Sequence, residues 1–188
     1  MMDAFSYLSV LLSIIIGLGM TQVLAAAGQL IRHRARVRFY WPSLLWAVTV
    51  LVIYVQMWWS TFGLRAYHNW TFASFSLVLL EPICFYLLAA LVLPEGIEAT
   101  GVDLREHYYE QHQWLFGFLL ATAVVSMLKE EALSHRLPQG FNLGFHIYLL
   151  VLGVTGILIR RPRFHEILAV VAAVSVAVYI ATLFATLR

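Results

Sequence analysis

Six long apolar runs, at 5–31, 40–64, 71–93, 108–128, 141–159 and 164–187, are separated only by short polar breaks. A helix needs about 20 apolar residues to cross a hydrocarbon layer of roughly 30 Å. All six runs meet that length or nearly so. The runs are continuous and do not alternate between apolar and polar residues, which excludes a small β-barrel. The chain is 62% hydrophobic and only 12% charged, with a mean hydropathy of +0.82. A soluble domain carries about 25% charged residues and has to present a polar exterior. The expected fold is therefore all-α: one polytopic six-helix membrane bundle with short loops, spanning the chain as a single domain, with the lipid bilayer as its solvent.

The fourth run is the least apolar. Its purely apolar part, 114–128, falls short of the membrane at about 1.5 Å per residue. Its helix is expected to start earlier, in "HYYEQHQ", from a capping box formed by Asp103 and Glu106. In the first run, Leu24–Gly28 resembles a signal-peptide cleavage site. Against cleavage, Asp3 precedes the run with no Lys or Arg, and the run is too long for a signal core.

Charge gives a direction. Alternate connections share a side. One set holds Arg32, Arg34, Arg36, Arg38, Arg105, Arg160, Arg161 and Arg163; the other holds Arg65, Lys129, Arg136 and Arg188. By the positive-inside rule both termini face away from the cytoplasm, in a bacterial-type inner membrane. The short links at 65–70 and 160–163 predict that spans two and three, and spans five and six, are adjacent and antiparallel. The net charge of +2, without a basic stretch interleaved with aromatics, offers nothing to nucleic acid. Cys84 is the only cysteine, so the chain forms no internal disulfide.

Ionisable residues inside membrane spans usually serve a function. Glu81 sits next to Pro82 in the apolar run "FSLVLLEPICFYLL". Counted from the outer ends of their spans, Glu81, Gln56 and Tyr54 reach one layer near the bilayer centre. They form a candidate proton, cation or substrate site. With no cation in that layer by this count, Glu81 is expected to carry its proton. Pro82 frees a backbone carbonyl near Val78, an added acceptor of the kind that broken helices use toward cations. A protonated Glu81 that only locks the helices together is the competing reading.

Two further patterns stand out. Ser9, Ser13, Gly17, Thr21 and Ala25 recur every four residues along span one. Such a stripe lets another helix approach closely, either within the bundle or in a homo-oligomer or partner subunit. Glu106, His107, Glu110 and His112, with His165 and Glu166, supply carboxylate and imidazole groups on the arginine side, a weak candidate metal site. The bland alternative is a polar helix start flanked by an aromatic belt of Tyr108, Tyr109 and Trp114. His146 lacks a second His at its depth for haem ligation and is expected to make one interhelical hydrogen bond. No cofactor is expected. Neither a Gly-x-Ser-x-Gly elbow nor a phosphate-binding glycine loop is present. Three functions follow: a transporter or channel using Glu81, an assembly subunit docking through the stripe, or a metal protein or enzyme using the His/Glu group.

Overall fold

The structure, a computed structural model, describes residues 4–97 and 101–183. It contains six α-helices: α1 (Ala4–Arg32), α2 (Trp41–Ser60), α3 (Phe72–Val92), α4 (Leu104–Ser134), α5 (Gly140–Leu158) and α6 (Pro162–Leu183). Five of them, all but α4, are long and apolar enough to cross a membrane. Within those five spans only 22% to 39% of the most apolar window is buried. The remainder is half-buried or exposed, and large side chains such as Leu18, Ile31, Val48, Leu158 and Ile167 are exposed. An apolar exterior of that extent is not sustained in water, and it fits a lipid bilayer. This is a small multi-pass integral membrane protein.

The helix ends follow local chemistry. Thr71 and Ser74 form a reciprocal capping box at the start of α3. At α4 the cap is made by Asp103, whose carboxylate accepts from the Arg105 and Glu106 amides. Asp103 supplies the cap as expected, but α4 begins at Leu104, ahead of the expected start in "HYYEQHQ". The expected end is overturned too. α4 runs past Leu128 to Ser134, where His135 adopts a left-handed conformation (φ 53°) and its amide bonds to the Glu131 carbonyl. The sequence 129–134 is rich in Lys, Glu, Ala and Leu, which favour helix. α2 ends earlier than expected, tightening into a 3₁₀ segment, Thr61–Ala66.

α4 is the central helix. Its buried residues, Leu104, Tyr108, His112, Leu115, Phe116, Leu119 and Ala123, recur at three- and four-residue spacing. It packs chiefly against α3 and α5; α3 also packs on α1, and α2 on α6. The short links therefore do not produce the closest neighbours: α2 touches α3, and α5 touches α6, only lightly. Closeness follows side-chain size instead. A Cβ at Gly156 would lie 2.6 Å from the Phe116 ring, and one at Gly153 would lie 2.5 Å from Leu120. These two glycines let α5 approach α4.

The arginine-bearing connections lie together at one end. β1 (Val37–Arg38) pairs in parallel with β2 (Val102–Asp103), two residues each, joining the first connection to the third. Arg38 lies 3.7 Å from Asp103. Gly101 (φ 93°) passes so close that a Cβ there would lie 2.5 Å from the Arg36 carbonyl oxygen. Beneath this end lies an aromatic layer. Trp46 meets Phe116 edge-on at 5.5 Å, and Tyr108 meets His165 edge-on at 5.4 Å.

Candidate functional site

At the opposite end the helices enclose a cavity of about 380 Å³. That lies within the ordinary range of small-ligand pockets, roughly 300–1,000 Å³. All six helices contribute to its wall. Most of the wall is apolar, and the charged side chains lining it are Glu81, Lys129 and Glu130.

Glu81 of α3 is paired with Lys129 of α4. The expectation that no cation reaches Glu81 is therefore overturned. It rested on ending the fourth helix at Leu128 and leaving Lys129 in a loop. With α4 extended, Lys129 projects from the helix into the cavity, and its long stem carries the ammonium to the carboxylate. The Glu81 side chain leans toward the start of α3, at the cavity's outer end. The pair is shielded but not sealed: the two side chains are 15% and 25% exposed. Val78 and Pro82 line the same cavity. Proline at 82 removes the amide that would otherwise bond to the Val78 carbonyl.

Nearer the mouth a second polar group is assembled. The Asn142 amide nitrogen donates to the Glu130 carboxylate at 2.7 Å, and the Tyr179 hydroxyl donates to the Asn142 side-chain oxygen at 3.0 Å. α4, α5 and α6 each supply one member. The Tyr179 ring stacks on Phe145 with centroids 3.9 Å apart. His146 also lines the cavity, but its hydrogen bond is intrahelical and not interhelical: Nδ1 donates to the Asn142 backbone carbonyl at 2.8 Å.

Of the two residues predicted to gather with Glu81, Gln56 lines the cavity and Tyr54 does not. The Tyr54 ring lies edge-on to Phe85 at 4.9 Å, and its hydroxyl is buried without a hydrogen-bond partner. The hydroxyl is aimed at α1, where a Cβ at Gly19 would lie only 2.0 Å from it. Helix rotation decides this, and depth counting is blind to rotation. Lys129, Glu130, Asn142 and Tyr179 were missed. The helix-favouring composition of 129–134 was the available signal for the first two.

The arginine-side His/Glu group does not converge. Among the described residues no three His, Cys, Asp or Glu side chains are placed to hold a metal ion. The rings are engaged elsewhere. His107 Nε2 donates to the Leu91 carbonyl at 3.1 Å, and His112 Nδ1 to the Tyr109 carbonyl at 2.6 Å. His165 Nε2 donates to the Ile159 carbonyl at 2.7 Å, and its Nδ1 accepts from Tyr108 at 2.9 Å. Glu106 and Glu110 are exposed, and Glu166 is half-buried.

The small-residue stripe of α1 is not packed within the bundle. Gly17, Thr21 and Ala25 are exposed, Ser9 and Ser13 are half-buried, and a Cβ at Gly17 would meet nothing within 4 Å. The buried side of α1 is instead Leu8, Leu12, Ile16, Val23, Ala26 and Leu30. No family model matches this chain, and neither a curated protein nor a solved structure is significantly similar to it.

Proposed function

We propose that this protein is a small transporter, with Glu81 as its proton or cation site and Gln56 lining the path to it. In this reading all six helices span the bilayer, α4 shielding its polar ends behind the other five. Both termini and the cavity mouth face away from the cytoplasm of a bacterial-type inner membrane, with the arginines on the cytoplasmic side. The single observation that supports the reading is that a cavity from the arginine-poor end reaches a carboxylate within a membrane helix. Lys129 is the internal counter-ion. A proton or cation arriving at Glu81 displaces its ammonium and so loosens α4 from α3. Loss of a contact between two helices is the kind of local event that alternating access requires.

Reconstitution in liposomes tests this. Wild-type protein is expected to carry a proton or monovalent-cation flux that Glu81→Gln lowers tenfold or more, with helical content and monodispersity unchanged. Equal fluxes in the two proteins would sink the proposal. A reporter fused to the C-terminus tests the orientation and is expected to read non-cytoplasmic.

A second reading, a subunit that docks in the membrane through α1, is favoured by the outward-facing Gly17, Thr21 and Ala25. Co-purification of a membrane partner, or a dimer in detergent, supports it.

A further inference from the structure

The charges lining the cavity do not cancel. Lys129 answers Glu81. Among the described residues, the Glu130 carboxylate is answered by the neutral amide of Asn142. His146 adds no fixed charge and spends its Nδ1 on a backbone carbonyl. Two carboxylates and one ammonium leave one negative charge, held in a wall that is mostly apolar. Glu130 is half-buried beside this wall, without a side chain of opposite charge among the described residues, so a cation entering the cavity can pair with it.

The rest of the wall says what kind of cation. A bare metal ion needs several oxygen ligands around it, and of the hydroxyls lining the cavity those of Ser60, Thr61, Thr122 and Ser134 already bond to backbone carbonyls of their own helices or turns. Below Glu81 the cavity offers side chains such as Ile16, Ile53, Phe85, Leu119 and Leu149. Near the mouth, Tyr179 and Phe145, stacked on each other, add aromatic surface to the lining. Lys129 already shows the mode of recognition: four methylenes ending in an ammonium on a carboxylate, inside the same cavity.

We propose that the cavity binds a monovalent organic ammonium ion with an apolar body, its head between Glu130 and Glu81 and its body on the apolar floor. The proposal deepens the transporter reading and rests on the same cavity being the site. The negative remainder rejects anions, and a neutral isostere forfeits the charge-assisted bonds to Glu130.

The test is isothermal titration of the full chain in detergent micelles, with protein-free micelles as the partition control. The probes are 2-phenylethylammonium, its neutral counterpart 2-phenylethanol, and 3-phenylpropanoate. One saturable site for the ammonium is expected, with the alcohol and the carboxylate at least tenfold weaker. Glu130→Gln is expected to weaken the ammonium tenfold or more. The proposal is overturned if folded wild-type protein shows no saturable ammonium site, or if the alcohol or the anion binds as tightly. An unchanged affinity in Glu130→Gln overturns the placement of the head. The wild-type comparison of three probes decides the matter even if that variant does not fold. Flux that depends on Glu81 without ammonium binding leaves the transporter reading standing and removes this one. Selective ammonium binding without flux does the reverse.

Discussion

At the arginine end, most polar groups of α4 and α6 bond to one another or to backbone: Tyr108 to His165, His165 to Ile159, His112 Nδ1 to Tyr109, with His112 Nε2 buried and unpartnered. At the other end the same helices stand apart around two carboxylates and one ammonium. Residue size separates the two. Gly153 and Gly156 lie in the last third of α5, against Leu120 and Phe116, and allow near contact there. The first third of α5 carries Asn142, Phe145 and His146 on its inward side, while Gly144 is exposed and a Cβ there would meet nothing. One helix therefore closes the bundle at one end and holds it open at the other. The lesson is that a membrane cavity needs no unusual backbone, only small residues placed at the end that is to be shut.

The sharpest way to break this contrast is to hollow out the closed end. Phe116→Ala is expected to lose about 3–5 kcal/mol, the usual loss for a buried aromatic, read as a lowered unfolding midpoint in detergent. Phe116 is fully buried, so a loss below about 1 kcal/mol would mean that this end is not close-packed. At the open end the expectation is milder and non-additive. Glu81→Gln alone strands Lys129 and is expected to cost about 1–3 kcal/mol, below the range for a sealed pair because the cavity is wet. Adding Lys129→Met is expected to recover most of that loss. Recovery in the double variant, measured by thermal unfolding, separates a true pair from two independent residues. Gly101→Ala comes next. It places a Cβ against the Arg36 carbonyl at positive φ and is expected to cost about 1–2 kcal/mol. Gly17→Leu is the smallest. It is expected to leave the midpoint of the isolated chain within about 0.5 kcal/mol, because nothing packs there. Any dimer through that stripe would be lost at the same time, which size-exclusion chromatography reads directly.

Much of the architecture was legible in the amino-acid order, for a physical reason. Apolar runs of membrane length leave the backbone no option but internal hydrogen bonding, so helices at 4–32, 72–92 and 140–158 fall within a residue of expectation. Glu81 was legible because a carboxylate among leucines is conspicuous. Lys129 and Glu130 were not. "KEE" followed by a loop reads as solvated charge, and only tertiary packing turns its first two members inward while leaving Glu131 exposed. Sequential helices do touch as expected, but which pairs pack most closely was not legible, for a related reason. A short link fixes that two helices are sequential, but glycine positions and ring volumes decide which pairs approach. Tyr54 failed on rotation alone, since depth along a helix axis carries no information about the direction in which a side chain points.

The two-residue ladder between Val37–Arg38 and Val102–Asp103 has a mechanical consequence. By tying the loop after α1 to the loop before α4, it clasps one end of two helices that share few contacts of their own. Two rods clasped at one end part more readily at the other, like the arms of tweezers. A small rotation near the clasp becomes a larger displacement some 30 Å away, at the rim where Glu130 and Asn142 meet.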